Sequence, residues 1–222
     1  MHDKYYHIKT IMVIIILSVL SCSPKSIWTN NNSTNNQENK NEFYSWKELR
    51  DRNIVKQKYD YSCGAASLAT YLQFYFGDRI TEEQIVNDIL PRLDKTKRLD
   101  RKKKGFSIAD LEDFANRRGY TTMILKNVQL SKISKIKGPF LTLIHRDGIY
   151  HFVIIRGVKE DRIYIADPSI GNIRIAADLF VEEWLGIIMA IGKKGFGLPT
   201  IHPLAIKENT PVRNELDAIR FK

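Results

Sequence analysis

The chain has 222 residues, 43% hydrophobic and 27% charged, with 35 basic against 25 acidic side chains and a formal net charge of +10. No G-x-x-x-x-G-K-[ST] loop is present, which argues against a built-in ATPase. The five histidines form no ligand-spaced cluster with the two cysteines, so neither a metal centre nor another cofactor is expected.

At the N-terminus, Lys4 and Lys9 precede an apolar run over 11–20, shorter than the roughly 20 residues a spanning helix needs and suited to a signal-peptide core. The run ends in Val19-Leu20-Ser21-Cys22, which resembles a bacterial lipobox and makes Cys22 the expected lipidation site. Such a chain would be exported and lipid-anchored in the cell envelope. Ser23 stands where an aspartate would favour inner-membrane retention, so the periplasmic face of the outer membrane is the expected location. Export also makes nucleic acid a poor partner despite the positive charge. Residues 28–40 are an asparagine-rich polar tract with little to bury, expected to be a flexible tether. The predicted organisation is a signal peptide and lipobox over 1–22, a linker over 23–41, one globular domain over 42–195 and a C-terminal appendage over 196–222, with a short helix near 216–221.

Within the globular part, Gln57-Lys-Tyr-Asp-Tyr-Ser-Cys63-Gly-Ala-Ala-Ser-Leu68 runs into Leu68, Tyr71, Leu72, Tyr75 and Phe76 at helical spacing, closed by Gly77. Cys63 falls on the first turn, where unpaired N–H groups and the helix dipole favour a thiolate. With Cys22 lipidated, Cys63 is the lone free thiol of an exported chain, and a Cys22–Cys63 disulfide is the alternative. Gln57 lies on the approach to the helix, from where its amide could donate to an oxyanion beside the Cys63 N–H. A second helix is predicted from the Thr81 cap to Leu90, before Pro91. The run 92–104 follows with eight basic and two acidic residues, read as a solvated loop. Its Lys102, Lys103 and Lys104 are candidates for contact with an acidic substrate or anionic lipid. A third helix is capped by Ser107 and stopped by Gly119.

From Thr121 onward the pattern turns to strands. His151-Phe-Val-Ile-Ile-Arg156 and Arg162-Ile-Tyr-Ile-Ala-Asp167 read as a hairpin around the 157–161 turn. With Arg156 opposite Arg162, His151 would face Asp167 directly, and Val153 with Ile165 and Ile155 with Ile163 would continue the same face as an apolar wall. His145 is the rival base, at a strand end before the Arg146-Asp-Gly148 turn. Helices before strands imply an α+β fold with N-terminal helices packed on an antiparallel sheet.

The ordered set of Gln57, Cys63-Gly-Ala-Ala-Ser-Leu68, Gly105-Phe-Ser107, His151-Phe-Val153 and Ala166-Asp-Pro168 resembles the C39 cysteine peptidases, a papain-like group first associated with bacteriocin-processing transporters. The resemblance spans residues 55–191. It implies a papain-like fold, with Cys63 as nucleophile, His151 as base and acid, Asp167 as orienting acid and Gln57 as oxyanion donor. It also implies an exported polypeptide substrate, cleaved at a small-residue junction such as a double-glycine-like site, and an export-system partner. Ser62 departs from the aspartate that usually precedes the cysteine in transporter-linked members. The competing class is a non-catalytic, peptide-binding envelope lipoprotein that keeps the fold.

Overall fold

The computed structural model describes residues 44–206. Signal peptide, Cys22, tether and the 216–221 helix lie outside the described residues. Among the described residues five helices come first. α1 (Trp46–Asp51) was not anticipated; it starts at a Ser45–Glu48 capping box, a local signal four residues long. α2 (Cys63–Phe76) ends at Gly77, whose φ of 78° admits the left-handed turn that stops the helix. All but two of its residues are buried, so it forms the core's axis instead of an amphipathic outer helix.

α3 (Glu82–Arg92) begins at the expected Thr81 cap, reinforced by Gln84. It runs through Pro91, because in the last turn a missing N–H costs only one bond. The basic run is not a loop. Asp94 caps α4 (Lys95–Lys104) by accepting from the Lys97 N–H. Arg98 then closes the α3–α4 junction by donating to the carbonyls of Leu90, Pro91 and Leu93. α5 (Ile108–Arg117) is capped by Ser107 and buries Leu111, Phe114 and Ala115.

The second half is one six-stranded antiparallel sheet: β1 (Tyr120–Leu125), β2 (Phe140–Arg146), β3 (Ile149–Lys159), β4 (Arg162–Asp167), β5 (Gly171–Ala176) and β6 (Trp184–Lys193), in the order β1-β6-β2-β3-β4-β5. A single turn, α6 (Leu130–Ile133), follows β1, and α7 (Ala177–Glu183) joins β5 to β6. One apolar cluster gathers α2, α3 and α5 with Leu141, Phe152 and Ile154; a second contains Val153, Ile155, Ile163, Ile165 and Ile173 under Phe180 and Trp184. Alternation along β3 therefore feeds two cores.

The β3–β4 register differs from the expected one. Both strands continue to a two-residue turn at Glu160 and Asp161, with Glu160 at φ 57°, and Lys159 pairs with Arg162. A bulge at Arg156 then shifts the pairing, so Ile155 faces Ile165 and Ile154 faces Ala166. Asp167 is thus diagonal to His151, not directly opposite. The apolar wall survives, since a two-residue shift keeps every side chain on its face.

Beyond β6 the described residues, up to 206, stay on the core. Phe196 packs on Tyr75 and Phe76, His202 meets the Tyr75 ring edge-on, and Leu204 is fully buried. Arg156, turned aside by the bulge, donates to the Leu204 and Ala205 carbonyls and to Asn172 Oδ1. Asn172 donates in turn to the carbonyls of Arg50 and Arg52, and Asn53 Nδ2 donates to Pro203 O.

Candidate active site

Cys63 is the first residue of α2 and is buried, with no disulfide. Ser62, the N-cap residue, makes no capping bond to the helix. Its hydroxyl points back along the chain, accepting from the Tyr59 N–H at 3.1 Å and donating to Tyr59 O at 2.8 Å. The Ser62 N–H also donates to Tyr59 O. A fully buried serine thus ties a tight 59–62 turn and leaves the first-turn amides of α2 uncapped, the arrangement that favours an anion at a helix start. Gly64 sits in close contact with the sheet and α5: a Cβ there would lie 3.0 Å from the Phe152 ring and 3.1 Å from the Leu111 side chain, so both would have to give way by a few tenths of an ångström.

The structure brings His151 and Asp167 together despite the shifted register. His151 Nε2 lies 2.9 Å from Asp167 Oδ1. The same oxygen accepts from the N–H groups of Ser169 at 2.7 Å and Ile170 at 3.2 Å. Burial would raise the Asp167 carboxyl, but the His151 bond and these two amides hold it below the ordinary carboxylate value. For His151, burial opposes the charged ring; Asp167 and the neighbouring Cys63 sulfur outweigh it and push the imidazole up to about 10. The direction of the shift favours the protonated ring. His145 has no such surroundings: it is exposed, and its ring lies tilted against that of Tyr150, its cross-strand partner.

Gln57 is held beside the acid's turn by its own N–H, which donates to Pro168 O at 3.0 Å. Its side-chain amide donates one N–H to Tyr59 O at 3.2 Å, leaving the second for another acceptor. Lys56 bonds Ser169 O and lies 3.6 Å from Asp51. Lys102, Lys103 and Lys104 occupy the exposed last turn of α4. The following Gly105 packs close to Tyr61 O, and the Phe106 ring meets Tyr61 edge-on at 6.2 Å. The basic helix therefore ends against the turn that leads into Cys63. Among the described residues no cluster of three or more metal-ligating side chains occurs, and no helix is long and apolar enough to cross a membrane.

Sequence reading missed the amides of Ser169 and Ile170, although Asp-Pro-Ser is a turn signal that makes an aspartate accept from residues two and three ahead. It also missed Glu82, a buried carboxylate that accepts from the Lys58 N–H and fixes the approach segment to α3. A glutamate opening a helix reads only as a first-turn acid.

The profile of the Peptidase C39 family matches residues 51–195. The chain belongs to the peptidase C39 family. It is accordingly a cysteine-type peptidase, and the α+β fold is that of C39 peptidase domains. It is 31% identical over 184 residues to the probable functional amyloid protease FapD of Pseudomonas aeruginosa, covering 80% of this chain and 76% of that protein. It is 30% identical over 150 residues to the lactococcin-G-processing and transport ATP-binding protein LagD of Lactococcus lactis, but spans only 20% of that transporter's length. Among solved structures, a double glycine motif protease from an AMS/PCAT transporter, crystallised with its leader peptide, superimposes with a TM-score of 0.52 at 26% identity, over 65% of this chain and 96% of that one. The peptidase domain of Streptococcus ComA gives 0.54 at 19% identity, over 64% and 98%, a likeness of fold.

Proposed function

We propose that this C39 peptidase cleaves exported polypeptides with Cys63 as nucleophile, His151 as proton carrier, Asp167 as orienting acid, and Gln57 with the Cys63 N–H as oxyanion donors. The observation that carries the reading is a buried carboxylate, held by two amides, on an imidazole whose other polar neighbour is a thiol at an uncapped helix start. A raised imidazole suits a resting thiolate–imidazolium pair. The thiolate attacks the scissile carbonyl and forms a C–S bond. His151 gives its proton to the departing amine, the C–N bond breaks and a thioester remains. Water, deprotonated by His151, then attacks the thioester; the C–S bond breaks, the acid is released and the thiolate–imidazolium pair is restored. Negative charge on the tetrahedral oxygen would be met by the Cys63 N–H and the free N–H of Gln57.

The FapD relatives and the double-glycine protease support an exported polypeptide cut at a small-residue junction, in the setting of a functional amyloid or another export system. On this reading Cys22 is lipidated and anchors the enzyme at the envelope, and Lys102 to Lys104 face substrate or anionic headgroups. Incubating the full chain, beside Cys63→Ala, with the exported proteome of its host and mapping new N-termini tests the proposal. Termini that vanish with Cys63→Ala are expected and give the site preference; identical profiles from folded, reduced protein would overturn it. Palmitate labelling that is lost in Cys22→Ala tests the anchor.

A further inference from the structure

Two neighbouring features on the nucleophile side are left over once the acid, base and thiol have their roles. The first is a stack of tyrosines. Tyr59 and Tyr61 lie almost parallel, 5.3 Å apart with 11° between their planes, inside the turn that separates Gln57 from Cys63. Tyr59 is 48% exposed, and Phe106 supports Tyr61 from the side. Three hydrogen bonds between Ser62 and Tyr59 hold this turn, and Gln57 and Glu82 fasten its leading end. An exposed aromatic ring on so constrained a backbone loses little freedom when something stacks on it.

The second feature is uncompensated charge. α4 ends in Arg101, Lys102, Lys103 and Lys104. Arg101 is spent on Asp100 and Asp110, and Lys104 on Asp100 at 2.7 Å. Lys102 and Lys103 have no ion pair among the described residues. With Arg101 and Lys104 held by carboxylates, Lys102 and Lys103 are the cations of this helix end with a role still to be assigned. Their position gives one, because the next residues, Gly105 and Phe106, are those that pack on Tyr61.

We infer that the Tyr59–Tyr61 stack and the Lys102–Lys103 end of α4 form one specificity shelf that binds an acidic, aromatic-bearing stretch of the polypeptide substrate next to the bond to be cut. This rests on the peptidase reading and deepens it by naming the substrate class. Stacking and charge act together: the ring face takes a planar side chain, and the two ammonium groups take flanking carboxylates.

Binding can be read apart from cleavage. The probes are two fluorescein-labelled peptides with the same central Gly-Gly, one flanked by Glu and Tyr, the other by Lys and Ala, titrated into full-length Cys63→Ala protein in neutral detergent. Anisotropy should show about tenfold tighter binding of the Glu/Tyr peptide, a preference that shrinks as salt rises. Tyr59→Ala and the Lys102→Glu, Lys103→Glu double change should each cut it by roughly threefold or more, with melting temperatures checked to exclude unfolding; Tyr59→Phe should restore it. Equal binding of both peptides, or a preference unmoved by either variant, would overturn the shelf. So would a double change that abolishes binding to phosphatidylglycerol vesicles while leaving peptide preference intact, since the lysines would then serve the membrane. Cleavage by the wild-type chain is scored separately: preferential binding without cleavage leaves the shelf standing and removes only the assigned hydrolysis.

Discussion

The nucleophile side and the base side of the site are built in opposite ways. Cys63 is placed by bonds that reach three residues along the chain, between Ser62 and Tyr59, and by the helix that begins at Cys63 itself. His151 and Asp167 are placed by strand pairing, by a bulge at Arg156, and by a turn pinned from residues over a hundred positions earlier, Lys56 and Gln57. Local bonds make a site stiff without the rest of the fold; pairing across a sheet makes it depend on register. The two halves should therefore respond differently when disturbed.

The largest expected effect tests chemistry on both sides at once. Cys63→Ala and His151→Ala should each lower kcat/KM by roughly 10⁴-fold or more, and the double variant should be no worse than either alone, because the pair acts as a unit. Additive losses in steady-state assays would mean the two residues do not share a proton. Asp167→Asn comes next. It leaves shape nearly intact but removes the charge that raises His151, so kcat should fall by about 10²- to 10⁴-fold and the His151 ring should titrate far below about 10 by NMR. An unmoved titration would detach the acid from the ring.

The same pair sets a pH window for stability. Because Asp167 is depressed, its contribution is complete above the ordinary carboxylate value and is lost as pH falls through the lower folded one. Because His151 is raised to about 10, its contribution is complete below its unfolded value of about 6.5 and fades as pH climbs toward 10. These describe one interaction, counted once. The melting temperature should drop by roughly 5 °C or more between pH 7 and pH 10, and Asp167→Asn should flatten that slope in calorimetry. On the nucleophile side, Ser62→Ala should cost about 1–2 kcal/mol in denaturant melts and slow Cys63 alkylation only a few-fold. The smallest effect is expected from Lys56→Met, a two- to fivefold loss in kcat as the acid's turn loosens, with KM unchanged.

The same contrast explains what could be read from sequence. The Ser107, Thr81 and Gly77 signals gave three helices nearly to the residue, since caps are local chemistry. The strand faces were legible too, because alternation of Val153, Ile155, Ile163 and Ile165 survives a two-residue error. The register was not, because a two-residue turn with Glu160 in a left-handed conformation carries no glycine to announce it, and the Arg156 side chain at the bulge finds its partners in distant carbonyls at 204 and 205. The basic run was misread for a related reason: eight like charges look unable to fold, yet Asp94, Asp100 and Asp110 are spaced to cap and pair them.

The bond from Asn53 to the Pro203 carbonyl, with Arg156 and Asn172 around it, means that the described chain closes on itself: the stretch before the nucleophile and the stretch after the last strand meet at one corner. A loop so closed has no preferred starting point. Joining 206 to 44 by a short linker and reopening the backbone at the exposed Asp147-Gly148 tip would put the histidine ahead of the cysteine in chain order while leaving both where they are. For this fold, linear order is an accident of where synthesis begins, and spatial adjacency is what the chemistry inherits.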